Sequence, residues 1–153
     1  MADYRALGAA AWSAAVPGFG QLVNRKYIKG LTLIALELLI NVKSGLNTII
    51  ICSFHGQTRE AVNSTDYQWL MFYPCLYLFA VWDAYSDAGK DEKPLLFLPF
   101  ALSAYAGTIG VIFSRTLTVE NIFLGPFWSM LCFSLAGFGL GFIARLAIRK
   151  CQK

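Results

Sequence analysis

Six polar side chains interrupt an apolar stretch in the first third of the chain, and their types and spacing could support chemistry. Glu37, Asn41, Ser44 and Thr48 are separated by four, three and four residues, with Lys43 and Asn47 beside them. A continuous helix would place the first four on one face and the other two on a neighbouring strip. A charged group in the middle of a bilayer costs roughly 3 kcal/mol unless it is paired or hydrated. This face must therefore contact protein or water.

Two interpretations of this polar stripe remain open. It is either a proton- or ion-responsive site on a polar substrate path, or a stripe that packs helices together through polar contacts. In the second case Glu37 and Lys43 lie near the helix ends and extend to opposite surfaces. We favour packing, because no other apolar segment offers an equally strong charged partner at mid-depth.

A second group of ionisable residues joins two distant parts of the chain. Asp83 and Asp87 end one apolar segment, and the basic turn of Arg25, Lys26 and Lys29 is expected on the same side. We therefore predict a salt-bridge cluster that clamps the two segments. A metal site at the two carboxylates would need a third ligand, and none is evident.

Other chemistry finds little support in the sequence. Motifs such as Gly-x-Ser-x-Gly, HExxH and the phosphate-binding loop are absent. The four cysteines lack metal-ligand or redox spacing, and His55 has no partner at helical spacing. We predict no enzyme, no cofactor and no metal, and nothing beyond charge suggests nucleic-acid binding.

Composition indicates that these residues are positioned by membrane helices. Of the 153 residues, 57% are hydrophobic and 14% are charged, whereas soluble domains carry about 25% charge. Five apolar segments are close to the length that spans a bilayer. Their approximate bounds are 6–23, 31–54, 68–85, 95–114 and 122–147. We predict an all-α polytopic bundle of about five spans, forming a single transmembrane domain over residues 1–153.

The distribution of cations predicts the orientation. Three lie between the first two segments, two between the third and fourth, and four at the C-terminal end, nine in all against three on the opposite side. The nine are Arg25, Lys26, Lys29, Lys90, Lys93, Arg145, Arg149, Lys150 and Lys153, and the three are Arg5, Arg59 and Arg115. The positive-inside rule then places the C-terminus in the cytoplasm and the N-terminus outside. Alternatively, the first segment is re-entrant, which leaves four spans and a cytoplasmic N-terminus.

The junction after the first segment has a physical explanation. A proline–glycine break ends one helix and lets the next begin almost at once, while the cations hold the turn at the headgroups. Polar side chains can satisfy the backbone groups that the break leaves free. The residues of this junction are Pro17, Gly18, Gly20, Gln21, Asn24, Arg25, Lys26, Lys29 and Gly30.

The same junction resembles a known pattern. P-G-x-G-Q-x-x-N, followed by K-G at the start of an apolar span, is similar to a signature of small bacterial polytopic membrane proteins that are distantly similar to the two-transmembrane-helix domain family. A second match is Trp82-Asp83-Ala84-Tyr85, since these proteins often end a later span with an Asp-Ala-Tyr turn. Val23 stands where the common pattern has tyrosine. The resemblance implies a helical membrane fold and a bacterial cell membrane, and little about activity.

Small residues in the last two segments predict close helix packing. Ser103, Gly107 and Gly110 share one face, and Gly137 and Gly141 form a GxxxG pair. We therefore expect a non-enzymatic subunit or scaffold of a bacterial inner-membrane complex. Its expected partners are lipid and copies of itself or other membrane subunits. The alternative is a small transporter or channel-like protein that uses the polar stripe.

Overall fold

The computed structural model describes residues 4–89, 94–120 and 122–151, and these form an all-α protein that is about 80% helical. The helices are α1 (Tyr4–Ala15), α2 (Phe19–Val23), α3 (Tyr27–Ser44), α4 (Leu46–Phe54), α5 (Thr58–Asn63), α6 (Tyr67–Leu70), α7 (Tyr73–Ala88), α8 (Phe97–Phe113) and α9 (Gly125–Cys151). A short antiparallel hairpin of β1 (Thr118–Val119) and β2 (Ile122–Phe123) joins α8 to α9.

Helices α8 and α9 form the most extensively packed pair, and small residues line their contact. Gly107, Gly110, Gly137 and Gly141 are all buried. A methyl group added at Gly137 would lie 2.5 Å from the carbonyl oxygen of Leu102. The Ser103 hydroxyl also donates a 2.7 Å hydrogen bond to the backbone of α9. The two helices therefore approach at backbone distance, as the small-residue spacing predicts.

One helix of the described chain, α9, is long and apolar enough to cross a membrane. Its 27 residues extend about 40 Å. The pair α3 and α4 also passes this test when taken together, but it is bent by 62°. Helix α8 is apolar and shorter. The structure therefore shows an all-helical chain with one clear apolar span. It does not confirm the expected count of about five spans.

The first apolar segment is two helices that fold back on each other, which differs from the expected single span. Ala6 and Ala9 of α1 pack against Ala84 and Ala88 near the end of α7. The carbonyl of Ala14, later in α1, accepts a 2.6 Å hydrogen bond from Tyr77, about two turns earlier in α7. Helix α1 therefore runs antiparallel to α7.

Helix α2 then returns the chain to the level at which α1 began. The side chain of Asn24, directly after α2, donates a 2.8 Å hydrogen bond to the carbonyl of Ala84. The turn is possible because Gly18 adopts φ 106°, a left-handed conformation that favours glycine. The start of α1 and the basic turn thus lie at one end of the molecule.

The second apolar segment also departs from a straight helix. Gly45, with φ 74°, ends α3 and begins α4. A side chain at this position would approach the carbonyl oxygen of Ser64 to 2.8 Å, and the carbonyl of Ser44 accepts a hydrogen bond from the Asp66 amide. The loop before α6 therefore occupies the space into which a straight helix would continue.

These contacts define two ends of the bundle. The motif end contains the start of α1, the basic turn, the end of α7 and the last turns of α9, where Arg145 donates to the carbonyl of Pro94. The loop end contains α4, α5, α6 and the β-hairpin, above a small hydrophobic core. That core consists of Leu46, Ile49, Cys52, Ala61, Leu70, Val111 and Met130.

Candidate functional site

A buried carboxylate lies at the centre of the motif end. Asp83, near the end of α7, is 7% exposed. Its Oδ1 accepts a 2.8 Å hydrogen bond and salt bridge from Lys29 Nζ, and its Oδ2 accepts a 2.9 Å hydrogen bond from Gln21 Nε2. Lys29 Nζ also lies 2.8 Å from Asp87 Oδ2, one turn further along α7. One lysine therefore bridges two carboxylates that helical periodicity places on the same face.

Gln21 connects this charged group to the N-terminal hairpin. Its side chain is fully buried, and Nε2 donates to the carbonyl of Ala80 as well as to Asp83. Its Oε1 accepts a 3.3 Å hydrogen bond from the Ser13 hydroxyl in α1. The amide thus joins α1, α2 and α7. A buried amide is favourable in such a place only when its donors and acceptors are satisfied.

Asn24 adds a second cross-link from the end of α2. Its Nδ2 donates to Ala84 as described above, whereas its Oδ1 is buried and has no hydrogen-bond partner among the described residues. Gln21 and Asn24, the two amide side chains of the Pro-Gly-x-Gly-Gln-x-x-Asn motif, therefore both bond to α7. They do so at the turn that contains the Trp-Asp-Ala-Tyr sequence.

Glycines allow these helices to approach closely enough for the bonds to form. A Cβ on Gly20 would overlap the carbonyl oxygen of Ala9 and lie 2.6 Å from the Cβ of Ala84. A Cβ on Gly30 would lie 2.9 Å from the carbonyl oxygen of Gly18. The polar cluster consequently depends on backbone proximity as well as on its charged side chains. The residues of this cluster, hereafter the motif cluster, are Ser13, Gln21, Asn24, Lys29, Asp83 and Asp87.

Of the three cations in the predicted basic turn, one forms salt bridges among the described residues. Lys29 forms both salt bridges, whereas Arg25 and Lys26 are exposed and form none with the described residues. Arg25 has φ 61°, at the point where the chain leaves α2. Pro17 is buried at the preceding turn, and Tyr85 packs against the alanines that join α1 to α7.

Ser13 was not predicted from the sequence as part of this site. A usable signal was present, because Ala6, Ala9 and Ser13 are small residues at three- and four-residue spacing, and all three are buried. That pattern indicates a helix face in close contact with another helix. The Ser13 hydroxyl can donate to Gln21 because this face of α1 lies against α2 and α7.

The predicted polar stripe is divided by the bend at Gly45. Glu37 and Ser44 are buried, and Asn41 is partly buried. Lys43, Asn47 and Thr48 are exposed. Asn41 donates a 3.3 Å hydrogen bond to Asn47 across the bend. The predicted stripe, with its four-three-four spacing, requires one straight helix. Because the chain bends at Gly45, Thr48 does not share a face with Glu37.

Glu37 remains a notable feature of this divided stripe. It is 9% exposed, and its Oε2 has no hydrogen-bond partner among the described residues. Asp83, by contrast, has an acceptor bond at each oxygen. Among the described residues, Glu37 and Asp83 are the two buried carboxyl groups, and of these Glu37 alone has an oxygen left unsatisfied.

The arrangement of the motif cluster is that of a clamp. Both Asp83 oxygens accept hydrogen bonds from protein donors, Gln21 of α2 and Lys29 of α3, so this carboxylate ties both helices to α7. In the described part of the chain, no three His, Cys, Asp or Glu residues are grouped so that they could hold a metal ion. The geometry holds the N-terminal hairpin, α3 and α7 together at one end of the bundle.

Comparisons with protein-family models, with curated proteins and with solved structures each found no match.

Proposed function

We propose that this chain is an integral membrane protein that acts as a non-enzymatic subunit or scaffold. The observation that carries the membrane assignment is the inverted distribution of residue sizes in α9. Only 11% of its most apolar window is buried, although a core helix of a soluble protein is mostly buried. Large apolar side chains point outward, among them Leu135 (65% exposed), Leu140 (64%) and Ile143 (64%). The buried positions are instead glycine, serine and proline, with Met130.

This distribution is suited to lipid as the surrounding solvent. Lipid gives large apolar side chains no reason to turn inward, and close contact between small residues then supports helix association. In water, such a surface would be a large contiguous apolar patch. We therefore propose that lipid covers the outer face of α9.

The proposed topology has four crossings and one re-entrant hairpin. Helices α3, α7, α8 and α9 cross, while α1 and α2 enter from the motif end and return to it. The hairpin is assigned as re-entrant because α2 folds back on α1, and Asn24 at its end bonds to Ala84, against which the start of α1 packs. The motif end has the higher density of cations and is therefore assigned to the cytoplasm, with both termini. The bacterial inner membrane is the location that the sequence resemblance supports.

The scaffold role rests on the motif cluster, whose buried carboxylate bonds to protein donors from two neighbouring helices. A catalytic or transport site needs a group that can exchange partners, whereas Asp83 is engaged at both oxygens by protein donors. We propose that the cluster fixes the hairpin and that the outer helix faces contact other subunits or further copies of this chain.

Affinity purification in mild detergent, after cross-linking in cells, tests this role. We expect a discrete assembly containing a second membrane protein or several copies of the chain. Recovery of only the monomer, from cells in which the cross-linker captures a known membrane complex, would contradict the scaffold proposal.

A second candidate function is proton- or ion-coupled transport, and the unsatisfied Glu37 oxygen is the observation in its favour. Glu37→Gln keeps the shape of the side chain but cannot titrate. Under the scaffold proposal, the variant assembles and supports growth as the unchanged protein does. A variant that assembles correctly yet loses the cellular phenotype would favour transport over scaffolding. Glu60→Gln, the same change at an exposed carboxylate in α5, is the matched control.

A further inference from the structure

Two arginines that are far apart in the sequence line one concavity at the loop end. Arg59 belongs to α5, and Arg115 lies just after α8. The concavity has a volume of about 590 Å³. Its lining residues are Arg59, Val62, Asn63, Arg115, Thr116, Thr118 and Phe123. We propose that this two-arginine site binds a phosphate group.

No carboxylate lines this concavity or forms a salt bridge with either arginine in the described chain. Asp66 lines an adjoining concavity with Arg115, but its Oδ1 accepts the backbone amides of Gln68 and Trp69. Two cations without an acidic partner in one concave surface create a positive potential that attracts an anion.

Arg115 is held in a conformation suited to anion binding. Its guanidinium lies 4.2 Å from the centroid of the Tyr67 ring. This contact fixes the guanidinium over the ring, and its N–H groups donate to no protein acceptor in the described chain. The Tyr67 hydroxyl in turn accepts a 3.4 Å hydrogen bond from Ser114. Arginine presents its N–H donors in a planar fork that matches the oxygens of a phosphate group.

The remaining lining residues fit the same ligand class. Asn63 and Thr118 offer an amide and a hydroxyl as further donors, while Val62 and Phe123 supply an apolar wall. A phosphate group can reach this site as a phospholipid headgroup or as a free phosphate. The headgroup source rests on the proposed membrane location, whereas the free-phosphate source does not.

Titration calorimetry on the full chain in a non-ionic detergent and a phosphate-free buffer tests the site. The probes are inorganic phosphate and dihexanoyl phosphatidylglycerol. We expect saturable binding that Arg59→Gln or Arg115→Gln each weakens about tenfold, because each change removes one charge-assisted contact. Arg115→Lys keeps the charge but loses the fork, and is expected to weaken binding as well. Arg149→Gln, at the opposite end of the bundle, should leave binding unchanged.

The two probes distinguish the sources. Binding of both probes with the same arginine dependence supports a site for phosphate in general, and binding of the lipid alone supports a headgroup site. The inference is overturned if neither probe binds saturably, or if Arg149→Gln weakens binding as much as the loop-end changes do. Both arginines are exposed, so these variants should retain the thermal unfolding profile of the unchanged protein.

Discussion

Replacing Asp83 by asparagine should destabilise the protein without changing the shape of the side chain. The carboxylate accepts from Lys29 at one oxygen and from Gln21 at the other, at 2.8 and 2.9 Å. An asparagine offers one acceptor, and its amide nitrogen then faces a second donor. One of the two bonds is therefore lost whichever way the amide turns.

The magnitude follows from the burial of each partner. The side chain of Lys29 is 41% exposed, so its bond to Asp83 is screened by solvent and contributes about 1 kcal/mol. Gln21 is fully buried, and its bond to a charged acceptor contributes about 1.5 kcal/mol. Lys29 retains Asp87, which limits the cost of leaving it unpaired. We expect Asp83→Asn to lower the free energy of unfolding by about 2 kcal/mol.

A double-mutant cycle assigns this loss to the Lys29 contact. The changes are Asp83→Asn, Lys29→Gln and both together, with unfolding measured by SDS titration in mixed micelles. We expect the double change to cost about 1 kcal/mol less than the sum of the single changes. The matched control pairs Asp83→Asn with Arg25→Gln, an exposed cation of the same turn, and should be additive within about 0.5 kcal/mol. Strict additivity with Lys29, or equal coupling with Arg25, would refute the clamp as described.

Two further predictions each compare a closely packed glycine with one that has open space around it. Gly137→Ala in α9 should cost about 2 kcal/mol, because the added Cβ would lie 2.5 Å from the carbonyl oxygen of Leu102. Gly139→Ala, where nothing lies within 4 Å, should be neutral or stabilising in the same unfolding assay, and equal effects at the two positions would contradict the α8–α9 packing. After α1, Gly20→Ala should disrupt the hairpin, since its Cβ would lie 2.6 Å from that of Ala84, whereas Gly8→Ala meets nothing within 4 Å. Limited proteolysis near residue 16 should therefore accelerate for the Gly20 variant alone, and unchanged cleavage would indicate that α2 is not packed on α7.

The sequence was informative where a local rule determines the structure. Small residues at helical spacing predicted that α8 and α9 approach closely, and the buried Gly137 and Gly141 confirm the contact. The proximity of Asp83 to the basic turn could also be predicted from the sequence, because both were expected on the same side of the membrane.

The sequence was uninformative where the outcome depends on contacts between distant residues. An isolated glycine is compatible with a continuous apolar helix, and the bend at Gly45 arises from the loop at Ser64 and Asp66. The return of α2 depends on the bonds of Gln21 and Asn24 to α7. Apolar composition is the same for a crossing helix and for a re-entrant one, so it could not distinguish them. The partner of Asp83 depends on the reach of Lys29 from α3, which the position of a cation in the sequence does not specify.

In the proposed membrane bundle the N-terminal hairpin returns to the cytoplasmic side, and single-cysteine labelling can test this topology. Cysteines would be introduced at Tyr4, Ser64 and Arg149 in a cysteine-free background and treated in intact cells with a membrane-impermeant reagent. We expect Ser64→Cys to react at once, whereas Tyr4→Cys and Arg149→Cys should react only after permeabilisation. Reaction of Tyr4→Cys in intact cells, at the rate of Ser64→Cys, would contradict the re-entrant hairpin. Equal reaction of all three positions would contradict the membrane bundle itself.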